Sequence, residues 1–257
     1  MRMDREDFNA AAAGFPEPFR LLIRESVEST NDEIRALALA GAADGLIILA
    51  ERQTAGRGRR GAAWFSPAGE SLAFSILLHP SESKALWPRL ALAAGLAVAE
   101  AVESFGPATG IKWPNDVWIG QRKAAGILVE AGTDFAIVGI GVNVNATDFP
   151  PEVAEIATSM KIEASQSFSP AEVFAAVIRK FSIRRQQIDH DFSELISAVR
   201  LRCVLTGQRV TLATANGPRV GIVEGIANGG ELLLRTENDL ERLIQADEVR
   251  ILPSLKS

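Results

Sequence analysis

Two lysines, one carboxylate and a run of arginines are the residues of this sequence best suited to chemistry. Lys112 opens Lys-Trp-Pro-Asn-Asp116, and Lys123 follows in Arg122-Lys-Ala-Ala-Gly-Ile-Leu-Val-Glu130. The chain carries 21 Arg and only 6 Lys, yet two of those lysines fall here, on either side of a predicted hairpin. Two ammonium groups converging on Asp116 would suit phosphate chemistry that also needs a metal or a proton acceptor. The competing reading is a tight Pro-Asn-Asp corner with a solvated face and Trp113 as a plug in the core.

A second cluster is Glu51-Arg-Gln-Thr-Ala-Gly-Arg-Gly-Arg-Arg-Gly61, which carries +3 in a chain of net charge −5. Gly56, Gly58 and Gly61 let backbone N–H groups approach an anion, and Arg57, Arg59 and Arg60 supply forked donors for carboxylate or phosphate. It is not a P-loop, because G-x-x-x-x-G-K-[ST] is absent. A solvated arginine turn or an RNA-binding patch remains open on composition alone. A third segment, Ser29-Thr30-Asn31, either caps a helix or offers two hydroxyls and an amide to a polar ligand. Gln53, at the end of an apolar strand, is a further candidate ligand amide. His79 and His190 read as ordinary residues, too distant in sequence and context to pair, and Cys203 as a small buried apolar side chain.

The elements that must hold these residues follow from periodicity and punctuation. Residues 1 to about 19 read as a loose lead-in. Strands are expected at Leu21–Glu25, Leu46–Ala50 and Leu72–His79, the second apolar enough to be buried on both faces. Thr30 and Glu33 have capping-box spacing, so a helix should begin there. Leu86–Ser104 reads as a long helix packed inside. A β region follows over Gly110–Trp113, Val117–Ile119, Lys123–Ala131 and Phe135–Asn145, with Gly120-Gln121 suited to a two-residue hairpin turn. Pro150–Met160 and Pro170–Leu201 read as helices. Short alternating runs from Arg209 to Leu252, broken by Asn216-Gly217, Asn228-Gly229-Gly230 and Asn238-Asp239, predict a small antiparallel β unit after a boundary near residue 204.

Composition bounds the answer. A chain of 257 residues, 47% apolar and 23% charged, is that of a globular protein of about two domains at roughly 150 residues each. Its acidic balance argues against general binding to nucleic acid or anionic membranes. One cysteine permits no internal disulfide, and the N-terminus shows no apolar signal segment, so a cytoplasmic location is expected. The longest apolar stretch, Leu90 to Val102, is too short to span a bilayer.

In order along the chain stand S-T-N, E-x-Q-T-A-G-R-G-R-R-G-x-x-W-x-S-P, K-W-P-N-D, R-K-x-x-G-I-L-V-E and G-I-G-V-N-x-N. Together these five motifs resemble the biotin–protein ligase family over Ser29 to about Asn145. The C-terminal β unit looks, more loosely, like the small barrel that ends these ligases. The resemblance implies an α+β fold: a mixed-sheet catalytic domain with packed helices (1–204), then a small antiparallel β-barrel domain (205–257). It places Ser29, Thr30, Asn31 and Gln53 at the biotin head group, and Arg57, Gly58 and Arg59 in a loop covering biotin and adenylate. Lys123 matches the lysine that meets biotin's carboxylate and then the adenylate phosphate. Arg60, Trp64, Lys112, Asn115 and Asn143 fall on the nucleotide side, and Asp116 on a position that binds Mg²⁺ or orients the acceptor amine. Arg59, Lys112, Asp116 and Lys123 are the catalytic candidates.

The implied reaction activates biotin with ATP and Mg²⁺ to biotinyl-5′-AMP. Biotin is then transferred to a lysine of a biotin carboxyl carrier protein or another biotin-dependent carboxylase. Ala125 stands where the family often has leucine, which trims volume beside the site. About 28 residues precede Ser29, too few for the DNA-binding domain of bifunctional members, so a monofunctional monomer or homodimer is expected. Rival readings are a lipoate or octanoate ligase of the same fold, which would carry an Arg-Arg-x-Gly-Gly-Gly-type run or a transfer cysteine, and a non-catalytic biotin- or RNA-binding module, which would not need Lys112, Asp116 and Lys123.

Overall fold

The computed structural model describes residues 4–215 and 217–253. Its main body is a seven-stranded mixed sheet built from β1 (Arg20–Val27), β2 (Leu46–Gln53), β3 (Ser71–Leu78), β4 (Thr109–Lys112), β5 (Asp116–Ile119), β6 (Arg122–Ala131) and β7 (Ala136–Asn143). The order is β1-β2-β3-β7-β6-β5-β4; β1 and β2 run parallel and every other neighbour antiparallel. The parallel pair is joined through α2 (Thr30–Leu39), a crossover that parallel pairing demands.

Strand pleating sorts residues between two faces. On β3, Leu72, Phe74, Ile76 and Leu78 face the large core under α3 (Arg89–Glu103) and α5 (Pro170–His190), as do Ala136, Val138, Ile140 and Val142 of β7. The alternate positions, Ser75 on β3, Gly139, Gly141 and Asn143 on β7, and Gly126 and Glu130 on β6, turn to the opposite face, where α2 covers one end of the sheet through Ile34, Ile48, Leu77 and Ile137. Small residues on this face leave an open trough.

Helix α3 with the turn before it is long and apolar enough to cross a membrane, contrary to the length expected for the apolar run alone; eleven of its fifteen residues are buried, as befits a core helix. The second sheet holds β8 (Arg209–Thr214), β9 (Gly217–Ile226), β10 (Leu232–Arg235), β11 (Leu240–Leu243) and β12 (Glu248–Ile251), all antiparallel, in the order β11-β10-β9-β8-β12. Asn216, half of one expected turn, lies outside the described residues. The two sheets share one continuous core, and Trp113 is the plug between them: its ring is buried and its Nε1 donates to the carbonyl of Gly230 at 3.0 Å.

Four local expectations are corrected. The lead-in contains α1 (Arg5–Ala12), capped by Asp4, which buries Phe8 against Phe174 on α5 with ring centroids 5.7 Å apart. No capping box forms at Thr30. Ser29 is the N-cap residue, and Glu33 instead accepts from Arg24 at 2.8 Å. Residues 151–156 are turns rather than a helix and Ala157 bridges to Lys123, because the backbone is diverted to pair there: Lys123 N–H donates to Ile156 at 2.7 Å, and Thr158 N–H to Lys123 at 2.9 Å. Only then does α4 (Met160–Ala164) begin, capped by Ser159. The long helix expected to Leu201 is broken at Asp191, whose side chain accepts from Glu194 N–H and starts α6 (Phe192–Arg202). Asp191-x-x-Glu194 was the signal for that break.

Candidate active site

The trough is a cavity of about 670 Å³, and every site residue singled out in the sequence lines it: Ser29, Thr30, Asn31, Gln53, Arg57, Gly58, Arg59, Arg60, Trp64, Lys112, Asn115, Asp116, Lys123 and Asn143. That volume suits a drug-sized ligand.

Its polar end is built where α2 starts. Ser29 is buried and its hydroxyl makes no capping bond, so the capping reading fails for its side chain. The N–H of Thr30 donates instead to Gln53 Oε1 at 2.8 Å, and the Thr30 hydroxyl stands 3.1 Å from the same oxygen. Behind this end stand Ser75, which the sequence did not single out, and Glu130, which it showed as the last residue of a motif with no role given. Asn31 Nδ2 donates to Glu130 at 2.6 Å, and Ser75 Oγ lies 2.6 Å from Asn31 Oδ1.

The glycines of β6 and β7 are where close approach demands them. A Cβ on Gly139 would stand 2.3 Å from Asn31 Oδ1, and one on Gly141 would stand 2.2 Å from Trp64. Side chains here would fill the floor of the cavity. The order of glycines in Gly-Ile-Gly-Val-Asn was legible as a motif, but what the missing side chains admit was not.

The arginine loop is tied down at three points. Arg57 pairs with Asp32 in the first turn of α2 through both carboxylate oxygens, one contact at 2.6 Å. Hydrogen bonding from Arg57 holds the Asp32 carboxyl below the usual carboxylate range. Arg59 donates to Asn115 Oδ1 at 3.1 Å and to the carbonyl of Ala246, in the loop between β11 and β12, at 2.5 Å. Arg60 lies 3.6 Å from Asp247. Arg60 also takes φ 57°, a left-handed conformation unusual outside glycine.

The two lysines do converge. Lys123 Nζ is 2.7 Å from Asp116 Oδ1 and 5.5 Å from the centroid of the Trp64 ring. Lys112 Nζ stands 4.9 Å from the centroid of the Trp118 ring, and burial pushes its ammonium below the ordinary lysine range, opposed in part by Asp116. Trp64 Nε1 and Asn143 Oδ1 are buried without a hydrogen-bond partner. Each such group costs about 1–3 kcal/mol until a ligand or water satisfies it.

Among the described residues no group of three His, Cys, Asp or Glu side chains is placed to hold a metal. A resident, all-protein metal cage is therefore absent from the described chain. A divalent ion bound mainly through substrate phosphates needs only one or two carboxylates, and Asp116 fits that mode. His79 and His190, expected to be too distant to pair, both line a second cavity of about 200 Å³. Cys203 is half-buried and free.

Residues 23–145 match the profile of the Biotin/lipoate A/B protein ligase family, and residues 205–249 match the Biotin protein ligase C terminal domain. The Biotin–[acetyl-CoA-carboxylase] ligase of Mycobacterium tuberculosis is 36% identical over 213 residues, covering 80% of this chain and 79% of that protein. The Bifunctional ligase/repressor BirA of Bacillus subtilis is 34% identical over 236 residues, 88% of this chain and 73% of that protein. Among solved structures, the biotin protein ligase from Aquifex aeolicus in complex with biotin and ATP superposes with a TM-score of 0.83 at 31% identity, covering 91% of this chain and 99% of that one.

Proposed function

The chain belongs to the biotin protein ligases of the Biotin/lipoate A/B protein ligase family, and from that membership we propose a two-step reaction run in the cavity that these residues line. It is an ATP-dependent biotin–[acetyl-CoA-carboxylase] ligase. The relatives that carry this reading over a lipoate ligase or a binding module are named biotin–[acetyl-CoA-carboxylase] ligases, and the similar Aquifex aeolicus structure is a complex with biotin and ATP.

A carboxylate is a poor acylating agent, so the first step must activate it. The biotin carboxylate attacks the α-phosphorus of ATP; a new P–O bond forms, and pyrophosphate leaves, giving biotinyl-5′-adenylate. We assign Ser29, Thr30, Asn31 and Gln53 to the head group of biotin, since this polar end offers both donors and acceptors. Lys123, Lys112 and the loop arginines then stand where the two anions meet. A donor preorganised on such charge is worth about 3–4 kcal/mol of barrier. The partial desolvation of Lys112 strengthens its pull on phosphate oxygens, because fewer waters compete for its charge. Trp64 and Asn143, with their unpartnered Nε1 and Oδ1, and Asn115 and Arg60 are assigned to the nucleotide. Mg²⁺ belongs to the proposal as an ion carried on ATP, with Asp116 as its protein carboxylate; bound there it would neutralise phosphate charge.

The adenylate is a mixed anhydride open to hydrolysis, so the site must exclude water while it waits. The loop of Arg57, Gly58 and Arg59 is suited to this cover, anchored at Asp32 and at Ala246. In the second step a lysine amine of the acceptor attacks the acyl carbonyl, the C–O bond to phosphate breaks, and AMP leaves as the amide forms. No serine or cysteine nucleophile is required. The acceptor in the proposal is a biotin carboxyl carrier protein or another biotin-dependent carboxylase, and the location is cytoplasmic. The functional division is placed at residue 204, with 1–204 carrying catalysis and 205–257 closing one wall.

Release of pyrophosphate tests the first step. With ATP and Mg²⁺, pyrophosphate should appear when biotin is added and not when lipoate is added; release with lipoate alone would overturn the reading.

A further inference from the structure

The polar end of the cavity is backed by a hydrogen-bond chain with a defined direction. Two of its members, Glu130 and Ser75, are not cavity-lining residues. The chain starts at Arg35, whose guanidinium lies 3.4 Å from the Glu130 carboxylate. An ionised carboxylate only accepts hydrogen bonds, so the Asn31 amide facing it at 2.6 Å must present its NH₂. Asn31 Oδ1 thereby turns to Ser75, 2.6 Å away, and takes the single proton of that hydroxyl. Ser75 has then no proton left for Thr30 Oγ1 at 2.7 Å. The Thr30 proton must go to Ser75 or to Gln53 Oε1 at 3.1 Å, and in either case the hydroxyl has only lone pairs left for a ligand. Gln53 Oε1 is also held by the Thr30 N–H, which leaves Gln53 with its NH₂ to offer.

One half-buried carboxylate thus decides which atoms of the cavity donate and which accept. The arrangement is tightly built: Gly139 beneath Asn31 has no room for a Cβ, and Ser75 is fully buried on β3 among apolar neighbours. Buried polar groups of this kind are costly unless satisfied, and satisfied ones lock a single orientation.

We propose that Glu130 and Ser75 are positioning residues for the biotin head group, imposing an acceptor at Thr30 and a donor at Gln53 without touching the ligand. The inference rests on the reading of this cavity as a biotin site. It identifies the recognised chemistry as a neutral group with N–H and C=O side by side, as in a cyclic urea.

The test is steady-state kinetics of the full chain with biotin and ATP varied separately, together with direct calorimetric binding of biotin. Glu130→Gln replaces a pure acceptor by an amide that donates or accepts, so Asn31 loses its imposed orientation. The expected result is a rise of about 10-fold in KM for biotin, with kcat and KM for ATP within about 2-fold of wild type. Asn31→Asp faces two carboxylates against each other and should weaken biotin more, by about 100-fold. The double change Asn31→Asp with Glu130→Gln restores a donor facing an acceptor while still offering Ser75 an acceptor. It should recover at least 10-fold of that loss. A structural role alone would not produce this rescue or spare ATP. Ser75→Ala should raise KM for biotin in the same way. An unchanged KM for biotin in Glu130→Gln, or a double variant no better than Asn31→Asp, overturns the proposal while wild type still binds biotin. A wild-type chain that binds no biotin overturns both this proposal and the functional reading beneath it.

Discussion

The Lys123 ammonium stands 2.7 Å from the Asp116 carboxylate, with the Trp64 ring centroid 5.5 Å from the same nitrogen. Register explains the meeting: Asp116 pairs with Gly126 across β5 and β6, and a register shift between Val117 and Trp118 brings Lys123 back toward the start of β5. In the proposed mechanism the pair holds a flexible lysine at the point where carboxylate and phosphate meet. Asp116→Asn removes the anchor and keeps the shape. We expect kcat/KM for adenylate formation to fall about 10- to 100-fold with little loss of thermal stability, checked by pyrophosphate release and a melting curve.

Two glycines on buried surfaces should respond oppositely to alanine. At Gly141 a Cβ would stand 2.2 Å from Trp64, so Gly141→Ala must displace the indole, at a cost of about 1–3 kcal/mol. At Gly95, inside α3, the nearest atom to a new Cβ is Ile127 Cδ1 at 3.8 Å, an ordinary contact. Gly95→Ala should therefore stabilise by about 0.5–1 kcal/mol through helix propensity. Denaturant unfolding of both variants checks the pair of signs.

Lys112 couples stability to pH. Burial lowers its pKa in the folded state, with Asp116 opposing. The unfolded chain therefore binds more protons than the folded one between the lowered value and the ordinary lysine value of 10.5, and stability contributed by this group rises with pH through that window. Below the window the folded state carries the desolvation cost in full. Lys112→Met should raise the melting temperature at pH about 7, the gain should shrink as pH approaches about 10, and adenylate formation should be lost. Melting curves at the two pH values, with an activity assay at the lower, test all three parts.

Arg59 joins the arginine loop to a connection of each sheet, through Asn115 in the turn between β4 and β5 and the carbonyl of Ala246 between β11 and β12. Arg59→Gly cuts both ties and frees the cover over the adenylate. We expect biotin-dependent pyrophosphate release to continue while label appears on bystander protein lysines, detected by streptavidin blotting of added serum albumin. Labelling confined to the acceptor would contradict this role.

Which parts of the molecule were legible in advance follows from where their causes lie. The strands of both sheets and the start of α2 were readable because local alternation and turn residues decide them, as at Gly120, which takes the positive φ its hairpin requires. The arginine loop and the Lys-Trp-Pro-Asn-Asp corner were readable because their residue types are unusual in this chain. Ser75 and the role of Glu130 were not, since each matters through a partner far along the sequence: Asn31 is 44 residues from Ser75 and 99 from Glu130. The turn at 151–156 was misread for a related reason, because its backbone answers to Lys123 and not to its own helical pattern. Helix α1 was missed because eight residues with one buried aromatic leave too little periodicity to see.

The most direct test of the account is the intact mass of an acceptor domain incubated with the full chain, ATP, Mg²⁺ and biotin. The account predicts a gain of one biotinyl group on a single lysine, dependent on both ATP and biotin. No gain, or a gain with lipoate and none with biotin, would contradict it.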